Sequence, residues 1–66
     1  MYMELSKFVK TERKKNNLTQ KELSQKAGVG LRFIRDLEQK KKTLRLDKVN
    51  DVLFMFGKKI GVEDIE

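Results

Sequence analysis

Sixty-six residues carry 16 basic and 10 acidic side chains, for a net charge of +6, with no histidine, cysteine or proline. That length allows one small domain; without cysteine or histidine there is no disulfide framework and no zinc-type ligand cluster; and no apolar run approaches the roughly 20 residues that span a bilayer. The excess of lysine and arginine points to a polyanionic partner, or to nothing more than a lysine-rich solvated surface.

The charge is uneven. All the basic residues lie at or before Lys59, and the chain closes on Glu63, Asp64 and Glu66. A domain this short buries only about 60% of its unfolded surface, so homodimerisation is expected on stability grounds alone. The first residues lack the basic, apolar and small-residue zones of a signal peptide, and the cytoplasm is the expected compartment.

A first helix is predicted from about Met3 or Glu4 to Asn16. Leu5, Phe8 and Val9 form an i, i+3, i+4 apolar stripe, with Lys7, Lys10, Lys14 and Lys15 facing outward. Those lysines read as solvated surface. Asn17 suits a left-handed helix end, a conformation asparagine tolerates well.

Thr19 opens a second helix with a capping box. Its hydroxyl is placed to accept from the Glu22 backbone N–H, and the Glu22 carboxylate to reach back to Thr19. Leu18 and Leu23 are spaced as a hydrophobic staple. Leu23 and Ala27 face the core, and Gly28 ends the helix.

The third helix is predicted from about Gly30 to Gln39, after a tight turn at Ala27-Gly28-Val29. Phe33, Ile34 and Leu37 share one face with Glu38 at its edge; Leu31, Arg32, Arg35 and Gln39 fall on the other. Lys40, Lys41 and Lys42 make a basic loop. A fourth helix, about Arg45 to Phe56, is expected to bury Leu46, Val49, Val52, Leu53 and Phe56, with Gly57 just past its end. In the last residues Ile60 and Val62 alternate as a short strand would. A lone strand must pair with a partner or stay disordered.

Residues 5–57 resemble the lambda/phage-repressor-like helix-turn-helix family, often called Xre-type. The resemblance is carried by Leu18-Thr19-Gln20, Glu22-Leu23, Lys26-Ala27-Gly28-Val29, Ile34 and Leu37-Glu38. It implies an all-α fold: a four-helix lambda-repressor-like domain over residues 1–57, with a short C-terminal strand or tail over residues 58–66. In this resemblance Gln20 corresponds to a glutamine that contacts phosphate and braces the recognition helix, and Arg13 and Glu38 to a buried ion pair. The alternative for that pair is two exposed charges. Where the family usually has glycine after the third helix this chain has Lys40, which in a left-handed conformation costs about 1 kcal/mol relative to glycine. A different loop path is therefore expected there.

A narrower similarity, to HipB-type antitoxins, runs through Gly30-Leu31-Arg32-Phe33-Ile34-Arg35-Asp36-Leu37-Glu38 and Thr43-Leu44-Arg45-Leu46-Asp47-Lys48-Val49. It implies a tail strand paired across a dimer, repression of the protein's own operon, and a HipA-type kinase toxin as partner. The other functional reading is a stand-alone phage-type or accessory-element repressor with no toxin.

Double-stranded DNA with a palindromic operator is the expected ligand. Arg32, in the first turn of the third helix, is placed for a bidentate contact to guanine, with Asp36 one turn on to orient it or to accept from a cytosine amine. Leu31 reads as a thymine-methyl contact, a dimer contact or simply an exposed leucine; Arg35 as a base or phosphate contact or a solvated charge. Thr19 and Gln20 sit at a helix N-terminus, which favours phosphate, and Lys21, Gly30, Gln39 and Lys41 complete the candidate DNA-binding set. Phe54 and Met55, with Ile60 and Val62, are candidate dimer contacts, unless Phe54 and Met55 complete the thin core. No catalytic residue, metal or cofactor is expected: no base accompanies Ser6 or Ser24, and the carboxylates sit mostly on outer helical faces.

Overall fold

The computed structural model describes residues 2–40 and 43–61, with side chains described from Leu5 onward. Four helices follow one another: α1 (Tyr2–Lys15), α2 (Gln20–Ala27), α3 (Leu31–Glu38) and α4 (Leu46–Phe54). No strand occurs among the described residues. The fold is all-α, and among the described residues no helix is long and apolar enough to cross a membrane.

The periodic apolar positions converge as their spacing requires. Val9, Leu23, Ile34, Leu37, Val49, Val52 and Leu53 form the buried core, ringed by half-buried residues that include Leu5, Phe8, Leu18, Phe33, Leu44 and Phe56. Phe8 meets Phe56 edge to face, with ring centroids 6.2 Å apart and planes at 82°. That geometry suits the quadrupoles of the two rings and ties α1 to the turn after α4.

Each helix ends on a residue in the left-handed region: Asn17 (φ 56°), Gly28 (φ 74°), Lys40 (φ 64°) and Gly57 (φ 72°). After α1, the Leu18 N–H donates to the Arg13 carbonyl and the Asn17 N–H to that of Lys14, both at 3.0 Å. After α4, Lys58 donates to Leu53 at 3.0 Å and Gly57 to Phe54 at 3.1 Å. This paired pattern satisfies the last carbonyls of a helix and reverses the chain sharply. Lys40 keeps the same left-handed path, its N–H reaching the Leu37 carbonyl at 3.3 Å. Lys40 itself therefore follows the family's left-handed path, while Lys41 and Lys42, the rest of that loop, lie outside the described residues.

Two expectations need correction. Leu46 is 58% exposed rather than buried. It is the first residue of α4, beyond the edge of the core, and Leu44 from the connecting segment packs there instead. The fourth helix also stops at Phe54, so Phe56 reaches the core from the turn and not from a helical face.

Candidate nucleic-acid interface

The interface candidates lie on α2, α3 and the three-residue turn between them. Thr19 caps α2 from an extended conformation. Its hydroxyl accepts the Glu22 N–H at 3.0 Å, and the Glu22 carboxylate accepts the Thr19 N–H at 2.8 Å. The backbone hydrogen bond from Thr19, reinforced by its side chain, holds the Glu22 carboxyl below the usual glutamate range. A carboxylate thus already sits at the positive end of α2, so a phosphate approaching Thr19 and Gln20 shares that end with a fixed negative charge.

The N-terminus of α3 is different. Gly30, extended at φ −73°, ψ 152°, supplies no side-chain cap, and the first turn contains no acidic residue. The unpaired N–H groups expected at a helix start, with the positive end of the helix dipole, therefore face outward next to Arg32. At 100° per residue, Arg32, Arg35, Asp36 and Gln39 span a strip about 100° wide on the face opposite Ile34 and Leu37. Arg32, Arg35 and Gln39 are exposed and Asp36 is half-buried. Leu31, at the edge of the strip, is half-buried but not part of the core cluster. Gly30 and Lys21 are exposed, and Lys41 lies outside the described residues.

What holds this strip in place is a charged network at the other end of α3. Glu38 is 8% exposed. Its carboxylate accepts from Arg13 Nε at 2.7 Å and from Arg13 Nη2 at 3.1 Å, and from the Gln20 side-chain amide at 3.2 Å. Arg13 Nη1 donates to the Leu18 carbonyl at 2.8 Å. One guanidinium thereby links the end of α1, the loop before α2 and the end of α3, and Gln20 adds the start of α2. A carboxylate at a helix C-terminus is unfavourable by itself; the forked contact from Arg13 offsets this, and its planarity fixes direction as well as distance. No buried side-chain nitrogen or oxygen among the described residues lacks a hydrogen-bond partner.

The dimer candidates occupy another surface. Phe54 is 80% exposed, and Met55 and Ile60 are each 40% exposed, so Phe54 does not complete the core. Val62 lies outside the described residues. Sequence reasoning passed over Asn50, whose side-chain oxygen accepts the Ile60 N–H at 2.8 Å. The available signal was an amide midway between the apolar residues Leu46 and Phe54 on an outward row. It also passed over the ion pair of Arg45 with Asp47 at the start of α4, at 2.8 Å, which holds the Asp47 carboxyl below the usual aspartate range.

Among the described residues, no group of histidine or acidic side chains is arranged to hold a metal ion. The profile of a helix-turn-helix family matches residues 9–53, spanning the core and all of α2 and α3. The chain is 46% identical over 59 residues to an uncharacterised HTH-type transcriptional regulator, y4mF, of Sinorhizobium fredii, covering 89% of this chain and 78% of that protein. Together with the α2–turn–α3 geometry, these matches establish that the chain belongs to the Xre-like helix-turn-helix family of DNA-binding regulators.

Proposed function

We propose that this chain is a sequence-specific repressor that binds a palindromic operator as a homodimer. The observation that carries the reading is the α3 strip: an uncapped helix N-terminus beside two exposed arginines, held at a fixed angle by the Glu38 network. In this reading residues 1–57 form the DNA-binding domain. Arg32 makes the base contact, with Asp36 beside it and Leu31 toward a thymine methyl. Arg35, Thr19, Gln20, Lys21, Gly30, Gln39 and Lys41 supply phosphate or neighbouring base contacts. Residues 58–66 serve dimer pairing with Phe54, Met55, Ile60 and Val62. Two recognition helices then sit about 34 Å apart, one turn of DNA.

The finer reading is an autoregulating antitoxin that also binds a HipA-type kinase toxin. It is supported by the similarity of residues 30–38 and 43–49 to HipB-type proteins. The stand-alone repressor differs from it only in lacking the toxin. If the tail does pair as a strand, the Ile60 N–H is already committed to Asn50, so the N–H groups of Lys59 and Gly61 would face the partner strand.

Fluorescence anisotropy on the DNA upstream of the gene, against a scrambled duplex and over a range of salt, tests the repressor reading. Tight binding to the first duplex alone, with several counterions released, is expected. Equal, salt-labile binding to both would overturn sequence-specific repression. Co-purification with a kinase encoded beside the gene separates the antitoxin from the stand-alone repressor.

A further inference from the structure

Along α4, Leu46, Asn50 and Phe54 form one i, i+4, i+8 row. The two apolar members are 58% and 80% exposed. The chain after α4 returns to this row: left-handed Gly57 and the bond from Lys58 to the Leu53 carbonyl reverse it, and Asn50 then fixes Ile60 through its backbone N–H. Three residues beyond Gly57 carry the chain about 10 Å back along the helix. Ile60, 40% exposed, is thereby held at Asn50, the residue between Leu46 and Phe54 on this outward surface.

The two flanks of that surface have opposite charge. On one side, about 60° around the helix from Phe54, lies Asp51. Lys58 and Lys59 belong to the returning segment, which the bonds of Lys58 to Leu53 and of Ile60 to Asn50 hold on the side of the row away from Asp51. All three side chains are exposed. Asp47, on the acidic side, already holds Arg45, so the acidic flank is assigned to Asp51. An apolar row with an acid on one flank and bases on the other matches itself: a two-fold axis along the row exchanges the flanks and brings acid against base twice. A partner of one charge sign would leave one flank unmatched.

We propose that this face is a two-fold contact with a second copy of the chain, in which Phe54 packs on its counterpart and the Asp51 flank of each protomer lies against the Lys58–Lys59 flank of the other. The proposal rests on the homodimer reading above and goes beyond it by naming the charge register and by making Asn50 the residue that positions the basic flank. Ion pairs at such a rim set orientation and exclude wrong pairings more than they add affinity. Reversing their sign is therefore the discriminating change.

Analytical ultracentrifugation of the full chain without DNA tests the proposal, with circular dichroism to verify that each variant is folded. The wild type is expected to dimerise. Asp51→Lys alone, and Lys58→Glu with Lys59→Glu, should each weaken the dimer by about tenfold, and combining all three changes should restore it to within about threefold. Phe54→Ser, at a position outside the core, should give a folded monomer. A wild type that stays monomeric at every concentration would overturn the homodimer reading itself. A wild-type dimer indifferent to either reversal, or weakened by both and not rescued by their combination, would leave that reading standing and overturn this arrangement.

Discussion

Between Thr19 and Glu38 the charged side chain that faces inward is paired, whereas along α4 and the segment after it apolar side chains face outward. Glu38 collects three donors from two other elements and is almost fully buried. Phe54, on the helix that finishes the core, is 80% exposed. The first region is complete within one chain and offers solvent a rigid, positively charged strip. The second is held by its own hydrogen bonds at Gly57 and Asn50, yet leaves an apolar surface of a kind usually covered by a partner. Placement of α3 thus rests on contacts within one protomer, and the proposed pairing surface lies on a different helix, so each can be broken without the other.

The sharpest way to break the first region is to remove one member of its buried network. Glu38→Ala leaves the Arg13 guanidinium, 11% exposed at its side chain, without its carboxylate. Breaking such a pair costs about 3–5 kcal/mol, close to the whole stability of a domain of this size at about 3–10 kcal/mol. Urea denaturation should show a nearly complete loss of the cooperative transition. Replacing both partners, as Arg13→Met with Glu38→Leu, should recover most of the stability while DNA affinity stays low, because the apolar pair fills space but no longer sets the angle of α3. A well-folded Glu38→Ala protein with full operator affinity would refute the bracing role.

Arg32→Ala separates surface from support. It should lower operator affinity by about 1–3 kcal/mol and relax specificity at one base position. Folding stability should move by less than about 0.5 kcal/mol, since the side chain is exposed. An equal loss on operator and random DNA would reassign Arg32 to phosphate. The salt slope then decides the matter, because a lost phosphate contact reduces it by about one.

The same contrast shows which parts of the structure were legible beforehand. The α2–turn–α3 unit was, since its signals are local: Thr19 and Glu22 form their capping box within four residues, and Gly28 marks the turn by its own conformational freedom. The outward placement of Arg32 and Arg35 followed from periodicity alone. The pairing of Arg13 with Glu38, 25 residues apart, carries no local signal and entered only through the family resemblance. Leu46 was misplaced because periodicity assigns a face but cannot say where along a helix the core stops. The bond from the Ile60 N–H to the Asn50 side chain is likewise non-local, and it fixes Ile60 beside α4.

Lys40 provides a smaller test of the balance between local preference and overall fold. Three of the four left-handed helix ends are asparagine or glycine; the fourth is this lysine. Lys40→Gly should stabilise the protein by about 1 kcal/mol by relieving the clash of its Cβ with the backbone, offset in part by the larger entropy of a glycine in the unfolded chain. A raised thermal midpoint with unchanged DNA binding is expected. Lower stability would mean that the lysine side chain makes a compensating contact, and a loss of DNA binding at unchanged stability would make Lys40 part of the interface.

The smallest expected effect concerns the acid limb of stability. Hydrogen bonds from Thr19 exist only in the folded state, and they lower the Glu22 carboxyl pKa relative to the unfolded chain. Below the ordinary glutamate range the unfolded state therefore binds more protons at this site than the folded state does. Stability from Glu22 is fully present above that range and is lost as the pH falls through the lowered folded value. Asp47, lowered by its hydrogen bond from Arg45, acts in the same direction. Glu22→Gln retains an oxygen for the Thr19 N–H but removes the titration, so the acid slope of a denaturation midpoint against pH should become shallower without vanishing. With Asp47→Asn added, the slope should flatten further by an independent amount, since the two sites share no partner. An unchanged slope in the double variant would place the acid sensitivity in another carboxylate, leaving the capping box to act through its geometry and not its charge.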